Sequence, residues 1–221
     1  MDINKLNEAL TNRIGNNLMD SRETLRSYDS KYPEVVEVKH SLLDFNLEEF
    51  ENNTFNLLKN KLLGEWKKYQ SNDEVDYYDM IYFEYHEQSF EFPDAMSYGI
   101  FDMTNFNMTI ESHDFGYDHK FGYWEAGLGI KLDPFLLTAP MSYRVLSDQN
   151  YADLINYRDP KSGSRQIWDH INNICSHAFN KAFARADQEN LFEDIKLKQG
   201  GLFVFDMHDN GTVWTPFYIK M

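Results

Sequence analysis

The sequence predicts an α+β fold with a mainly antiparallel sheet of about five to seven strands. Three observations favour this class. Apolar residues recur every three or four positions in two long stretches of the first 70 residues, as they do in amphipathic helices. A block of alternating apolar and polar residues follows, which is typical of strands. A long helical pattern then precedes two alternating runs joined by Asp209-Asn210-Gly211-Thr212, and Asn-Gly at such a turn predicts a C-terminal β-hairpin.

The first 70 residues are predicted to be helical. One helix has apolar residues at helical spacing from Ile3 to Tyr28 and ends at Tyr32-Pro33, because proline disfavours helical backbone in the residue before it. A second helix is expected from about Leu47 to Tyr69. Between the two, residues Glu34 to His40 are interpreted as a short strand.

The block of strands begins at Asp79–Glu87. Its alternation predicts that Ile81, Phe83 and Tyr85 face the core and that the opposite face is half exposed. The other predicted strands are Met96–Met103, Phe106–Glu111, Gly122–Lys131 and a weaker candidate at Phe135–Leu146, which Pro140 interrupts.

Two helices are predicted after these strands, at about Asp148–Tyr157 and at about residues 164–189. In the second, small apolar residues alternate with aromatic ones at unbroken helical spacing, which suits packing on a sheet. Cys175 lies within this stripe and is therefore predicted to be a core residue. Pro216 is expected to place the last strand at a sheet edge.

The whole chain, residues 1–221, is predicted to be a single domain, with residues 1–70 helical and residues 71–221 forming the sheet and its helices. His170 and His177 lie on one flank of the long helix. They are predicted to be surface or boundary residues, because two helical turns separate them by about 10.5 Å, too far for one metal ion.

The composition narrows the classes of partner. There are 36 acidic and 21 basic residues, which gives a formal net charge of -15. This charge disfavours direct binding to nucleic acid or to anionic membranes and favours basic proteins. The N-terminus lacks a signal-peptide pattern, no run of about 18 apolar residues occurs, and Cys175 is the only cysteine. These features predict a soluble cytoplasmic protein.

The acidic residues are concentrated in one interval. No Lys or Arg occurs between Lys68 and Lys120, where twelve Asp or Glu lie. Either other segments supply the counter-charges in the fold, or the interval forms a docking face on which carboxylates steer a basic partner and aromatic side chains anchor it. The candidate partner-binding residues are Asp76, Asp79, Tyr82, Glu84, Glu87, Glu91, Asp94, Asp114 and Asp118.

One stretch of the interval resembles a set of metal ligands, namely His113, Asp114, Asp118 and His119. A metal-dependent hydrolase could use these residues if their segment, interpreted as a loop, met the C-terminal hairpin and His208. The set is not specific, and polar loops are usually only solvated. No phosphate loop, nucleophile elbow or kinase motif occurs. No catalytic residue, metal ligand or cofactor is therefore assigned.

In general character the chain is similar to bacterial immunity proteins, which are small, acidic and poor in motifs, although no residue motif identifies a particular immunity family. This similarity implies an inhibitor that neutralises a basic protein, such as a nuclease toxin, by occluding its cationic site. Two alternatives remain open: the metal-dependent hydrolase, and an anti-restriction or anti-defence protein that mimics the charge of DNA.

Overall fold

The computed structural model describes residues 2–72, 74–85, 94–111, 113–114, 116–121, 129–147, 163–207 and 213–221, and these form an α+β fold. The helices in chain order are α1 (Ile3–Ser27), α2 (Pro33–Leu43), α3 (Leu47–Leu57), α4 (Leu63–Ser71), α5 (Asp133–Leu136), α6 (Ala139–Ser147) and α7 (Ser164–Gln188). The strands are β1 (Tyr78–Tyr85), β2 (Asp94–Thr104), β3 (His113–Asp114), β4 (Gly116–Phe121), β5 (Gly129–Lys131), β6 (Leu197–Met207), β7 (Val213–Trp214) and β8 (Pro216–Ile219).

The main sheet has the strand order β4-β2-β1-β6-β8, and β5 also pairs with β2. The pairs are antiparallel except for β1 and β6, which run parallel, so the sheet is mixed rather than purely antiparallel. Parallel neighbours need a long crossover, and α7 lies in the connection between β1 and β6. β3 and β7 form a separate two-stranded sheet.

The long helix α7 lies on one face of the main sheet, as predicted. Its aromatic residues contact β1 directly: the ring of Phe83 lies 6.2 Å from that of Phe179 and 5.7 Å from that of Phe183. Cys175 is fully buried, which confirms its predicted place in the core. Burial raises the pKa of its thiol, with a smaller contribution from the negative charge of Asp133, so the thiol stays protonated.

The opposite face of the sheet is more covered than predicted. Met80 and Tyr82 are buried there, although the alternation predicted a half-exposed face. Leu10 of α1 packs on this face, and residues Phe106 to Ile110 add partly buried apolar side chains. Those residues form no strand, so the predicted strand at Phe106–Glu111 is wrong.

Strand β8 forms an edge of the main sheet, as Pro216 predicted, and side chains satisfy its outer backbone groups. Asn7 Nδ2 donates to the carbonyl of Ile219 at 2.7 Å, and the Ile219 N–H donates to Asn7 Oδ1 at 3.0 Å. Asn180 Nδ2 donates to the carbonyl of Phe217 at 2.8 Å. Unpaired N–H and C=O groups on an edge strand can pair with a strand of another chain. The side-chain amides of Asn7 and Asn180 occupy such groups on β8 and so protect this edge.

Further hydrogen bonds join α1 to α7. Thr11 Oγ1 donates to Asn180 Oδ1 at 3.0 Å, and Ser21 Oγ lies 2.9 Å from His170 Nδ1. Ser21 Oγ also lies 3.0 Å from the Leu18 carbonyl oxygen, to which it can donate. His170 is only 2% exposed, which corrects the prediction that it lies near the surface. The five residues Asn7, Thr11, Ser21, His170 and Asn180 are called the polar seam below.

The predicted second helix is continuous in space, but a π-helical turn at Leu58–Leu62 separates α3 from α4. One row of its buried residues recurs every four positions, at Phe50, Thr54, Leu58, Leu62, Trp66 and Gln70, and Phe55 and Leu63 are buried beside this row. A four-residue step overshoots an α-helical turn by about 40°, so a long row of such steps drifts around the helix. The wider π turn absorbs part of this drift and keeps the row facing the core.

Two predicted strands are helices in the structure. Residues Glu34 to His40 belong to α2, where Pro33 occupies the first turn and therefore removes no helical hydrogen bond. Val35, Val38 and Leu42 are buried at helical spacing. The weaker candidate at Phe135–Leu146 is divided between α5 and α6.

Parts of some predicted elements lie outside the described residues. These are the helix at Asp148–Tyr157, the hairpin turn at 209–212, residues 122–128 of the predicted strand that ends in β5, and residues 86 and 87 of the predicted strand Asp79–Glu87. None of the described helices is both long enough and apolar enough to span a bilayer.

Candidate functional site

Three hydrogen bonds around Lys196 link the start of β6 to α4, to the segment of residues 74–77 that leads into β1, and to the first residue of β1. The Lys196 N–H donates to Gln70 Oε1 at 2.6 Å, and the Tyr78 N–H donates to the Lys196 carbonyl at 2.7 Å. Lys196 Nζ donates to the Val75 carbonyl at 2.9 Å. The backbone of this acidic segment is therefore held by a neighbouring strand.

The end of β2 lies beside this segment and has an irregular backbone. Its register with β4 shifts between Phe101 and Thr104, and Asp102 between them adopts a left-handed conformation with φ 51°. Such bulges redirect side chains, and left-handed non-glycine residues are concentrated at functional sites. The rings of Tyr78 and Phe101 lie 6.4 Å apart, which places the first residue of β1 against the end of β2.

The exposed residues at this end of the sheet include three acids and one tyrosine: Glu74, Asp76, Asp102 and Tyr77. They are called the acidic tyrosine surface. Tyr77 keeps 58% of its surface exposed. Among the described residues, no Lys or Arg forms an ion pair with the three carboxylates. A large exposed aromatic side chain at the same end of the sheet as unpaired carboxylates is a suitable anchor for a cationic protein surface.

Asp79, three residues beyond Asp76, has a different environment. It is buried, its Oδ1 pairs with Lys198 of β6, and its Oδ2 accepts from the Met103 N–H at 3.1 Å. For this carboxylate another segment of the fold supplies the counter-charge, which was one of the two interpretations of the acidic interval. Its hydrogen-bonding groups are used within the fold.

Three of the other predicted partner-binding residues, Tyr82, Glu84 and Asp94, do not join Asp76 on one open face. Tyr82 is buried, with its ring 6.2 Å from that of Tyr98. Glu84 and Asp94 are half-buried at the far end of β1 and β2. Along an extended strand, Asp76 and Glu84 are separated by roughly 26 Å.

The remaining candidates are placed only by their backbone or not at all. Asp114 pairs with Val213 in the small sheet, and Asp118 pairs with Phe101 in the main sheet. The candidates that lie outside the described residues are Glu87 and Glu91.

The stretch interpreted as a metal-binding loop consists largely of strands. His113 and Asp114 form β3, and His119 lies in β4 opposite Ile100. β3 pairs with β7, so this stretch does meet the C-terminal hairpin, as the hydrolase hypothesis requires. His208 lies outside the described residues, and the described part of the chain contains no cluster of His, Cys, Asp and Glu able to hold a metal ion. The hydrolase therefore stays a prediction.

Sequence reasoning missed Tyr77 and Asp102 as site residues. Tyr77 could have been identified from the sequence. It follows Asp76 and precedes the alternating pattern of the predicted strand, so that pattern does not place it in the core. Asp102 could not, since the bulge and the left-handed backbone that expose its side chain depend on how β2 pairs with β4.

No protein-family model, curated protein or solved structure matches the chain.

Proposed function

We propose that this chain is a cytoplasmic binding protein that docks a basic protein through the acidic tyrosine surface and blocks the cationic site of that partner. The partner class that fits best is a nuclease-type toxin, because carboxylates can occupy the positions that substrate phosphates would take. A basic restriction or defence protein would be recognised by the same chemistry, which is the DNA-mimic variant of the proposal.

One observation carries the proposal: Tyr77 is largely exposed at the end of the sheet where the exposed carboxylates of Glu74, Asp76 and Asp102 also lie. Tyrosine is among the residues that dominate binding energy at protein interfaces, because it buries a large rigid area and still donates a hydrogen bond. The carboxylates add long-range attraction, which raises the association rate more than the final affinity.

The fixed backbone of residues 74–77 supports the same role. Lys196 holds this segment through Val75 and Tyr78, so its side chains are presented without a large loss of chain entropy on binding. The net charge of -15 extends the attraction beyond the site and disfavours anionic competitors.

The proposal is tested by recovering the partner and measuring its association. The tagged chain is used to capture proteins from its native cells, and the product of a neighbouring toxin-like gene is tested directly. The Tyr77→Ala variant should speed dissociation at least tenfold, which corresponds to about 1.4 kcal/mol. The double variant Asp76→Asn/Asp102→Asn should instead slow association, most clearly at low salt.

The matched control is Glu37→Gln/Glu48→Gln, which removes two exposed charges from α2 and α3. Equal effects of the two double variants would show that only the net charge matters. A complex whose association rate does not change between about 0.05 and 0.5 M salt would contradict electrostatic docking.

The pairing of β3 with β7 keeps the hydrolase as a second candidate. Calorimetric titration with Zn²⁺ separates the two functions. Saturable binding that is lost in both His113→Ala and His119→Ala would favour the hydrolase, because a zinc site needs about three protein ligands at once. Zn²⁺ binding that neither substitution alters would remove this candidate.

A further inference from the structure

A second feature, separate from the acidic tyrosine surface, is a cleft between α3 and the chain from β5 into α5. Its volume is about 280 Å³, and its apolar walls are formed by Phe50, Leu57 and Ile130. Phe50 and Ile130 are buried core residues, so these walls are fixed by the packing of the fold. Clefts for drug-sized ligands span about 300–1,000 Å³, so this cleft suits a smaller molecule.

One wall residue carries a polar group without a partner. Thr54 lines the cleft and is 3% exposed, and its buried hydroxyl oxygen has no hydrogen-bond partner among the described residues. A buried hydroxyl in this state is unfavourable, and a native fold that retains one calls for an explanation. A ligand in the cleft that offers a polar group would give this hydroxyl a partner.

The rim of the cleft carries one charge of each sign. Lys131 ends β5 and Asp133 begins α5, and both line the cleft. Within the part of the chain that the structure describes, neither side chain forms an ion pair. The rim therefore offers an ammonium and a carboxylate whose charges are free to meet a ligand.

The helix that forms one wall changes its winding at the cleft. Leu57 lines the cleft and directly precedes the π-helical turn Leu58–Leu62. Such turns are rare and are found frequently at functional sites. Thr54 and Leu57 lie on the last α-helical turn of α3, directly before this π-helical turn.

We propose that this cleft binds a free α-amino acid with an aliphatic side chain. The ligand carboxylate would meet Lys131, its ammonium group would meet Asp133, and its aliphatic side chain would lie between Phe50, Leu57 and Ile130. The Thr54 hydroxyl would bond one of the polar groups. A single α-carbon carries all three parts, which is why an amino acid fits a cleft with two opposite charges over apolar walls.

Calorimetric titration of the full chain with L-leucine tests this site. L-leucine should bind, whereas N-acetyl-leucine, which lacks the ammonium group, and leucinamide, which lacks the carboxylate, should each bind at least tenfold more weakly. Equal binding of the three compounds, or no binding of L-leucine, would overturn the proposal.

The variants identify the residues that act. Lys131→Met and Asp133→Asn should weaken L-leucine binding, while the controls Lys68→Met and Asp29→Asn, exposed residues on α4 and in the α1–α2 connection, should not. Thr54→Val keeps the shape of the side chain, so it should raise the thermal unfolding midpoint and yet weaken L-leucine binding. If Thr54→Val leaves the affinity unchanged, the hydroxyl does not belong to the site and the proposal fails.

Discussion

Two polar regions of this molecule use their hydrogen-bonding groups in opposite ways. In the polar seam, the side chains are buried or partly buried and bond one another or the edge strand. In the acidic tyrosine surface, the side chains are exposed and their carboxylates form no ion pair with the described residues. A buried polar group that forms hydrogen bonds within the chain fixes the relative positions of its helices and strands. An exposed polar group without such a bond remains available to a partner.

The largest expected effect concerns His170 in the polar seam. Burial, and secondarily the charge of Arg22, lowers its pKa from 6.5 to about 4. The unfolded chain therefore binds a proton at a higher pH than the folded one, so this contribution to stability is complete above pH 6.5 and is lost as the pH falls toward 4. The loss should reach about 3 kcal/mol in urea unfolding.

The control for this prediction is His170→Gln, which keeps a polar side chain but does not titrate. The titration of the carboxylates and of His177 changes the stability of the original chain and of the variant alike. The difference between their two profiles of stability against pH therefore isolates the contribution of His170. Identical profiles between pH 4 and 6.5 would show that burial of this ring does not govern the acid sensitivity.

A smaller effect is expected at the sheet edge. Asn7→Ala leaves the N–H and carbonyl of Ile219 without their partners and should lower the free energy of unfolding by about 2–3 kcal/mol. Asn12→Ala, an exposed change on the same helix, should stay within about 0.5 kcal/mol. If the two variants unfold at the same urea concentration, the amide of Asn7 does not stabilise the edge.

The smallest effects on the free energy of unfolding are expected for two acids that lie three residues apart. Asp79→Asn weakens the pair with Lys198 and should lower the free energy of unfolding by about 1–2 kcal/mol, a modest loss because Lys198 is half exposed. Asp76→Asn should change it by less than about 0.5 kcal/mol. Thermal and urea unfolding measure both, and a larger loss for Asp76 than for Asp79 would reverse the assignment of their roles.

The elements that the sequence predicts well have long, regular patterns. The apolar stripe of α7 runs without a break from Ile167 to Ala186, and the alternation of β1 assigns Ile81 and Phe83 to the face that packs on α7. The run at Glu34–His40 is short, and periodicity alone cannot separate a short helix from a strand in such a run. The parallel pairing of β1 with β6 also escaped prediction, because it joins segments more than a hundred residues apart.

The candidate site could be predicted only in part. Charge counting located the acidic interval, and Asp76 within it, but could not tell Asp76 from Asp79. The difference depends on Lys198, which lies 119 residues further along the chain. Tyr82 was selected because it alternates away from the core face, yet the second face of the sheet is covered by α1 and by the residues after β2.

The bonds between Asn7 and Ile219 join residues that are 212 positions apart. A ribosome that adds about 5–20 residues per second needs roughly 10–40 seconds to make the chain between them. During that time the first helix lacks the strand on which it finally docks. Closure of this edge is therefore a late event in the biogenesis of the molecule, and a nascent chain halted before β8 would present both an unsealed sheet and an unpaired amphipathic helix to chaperones.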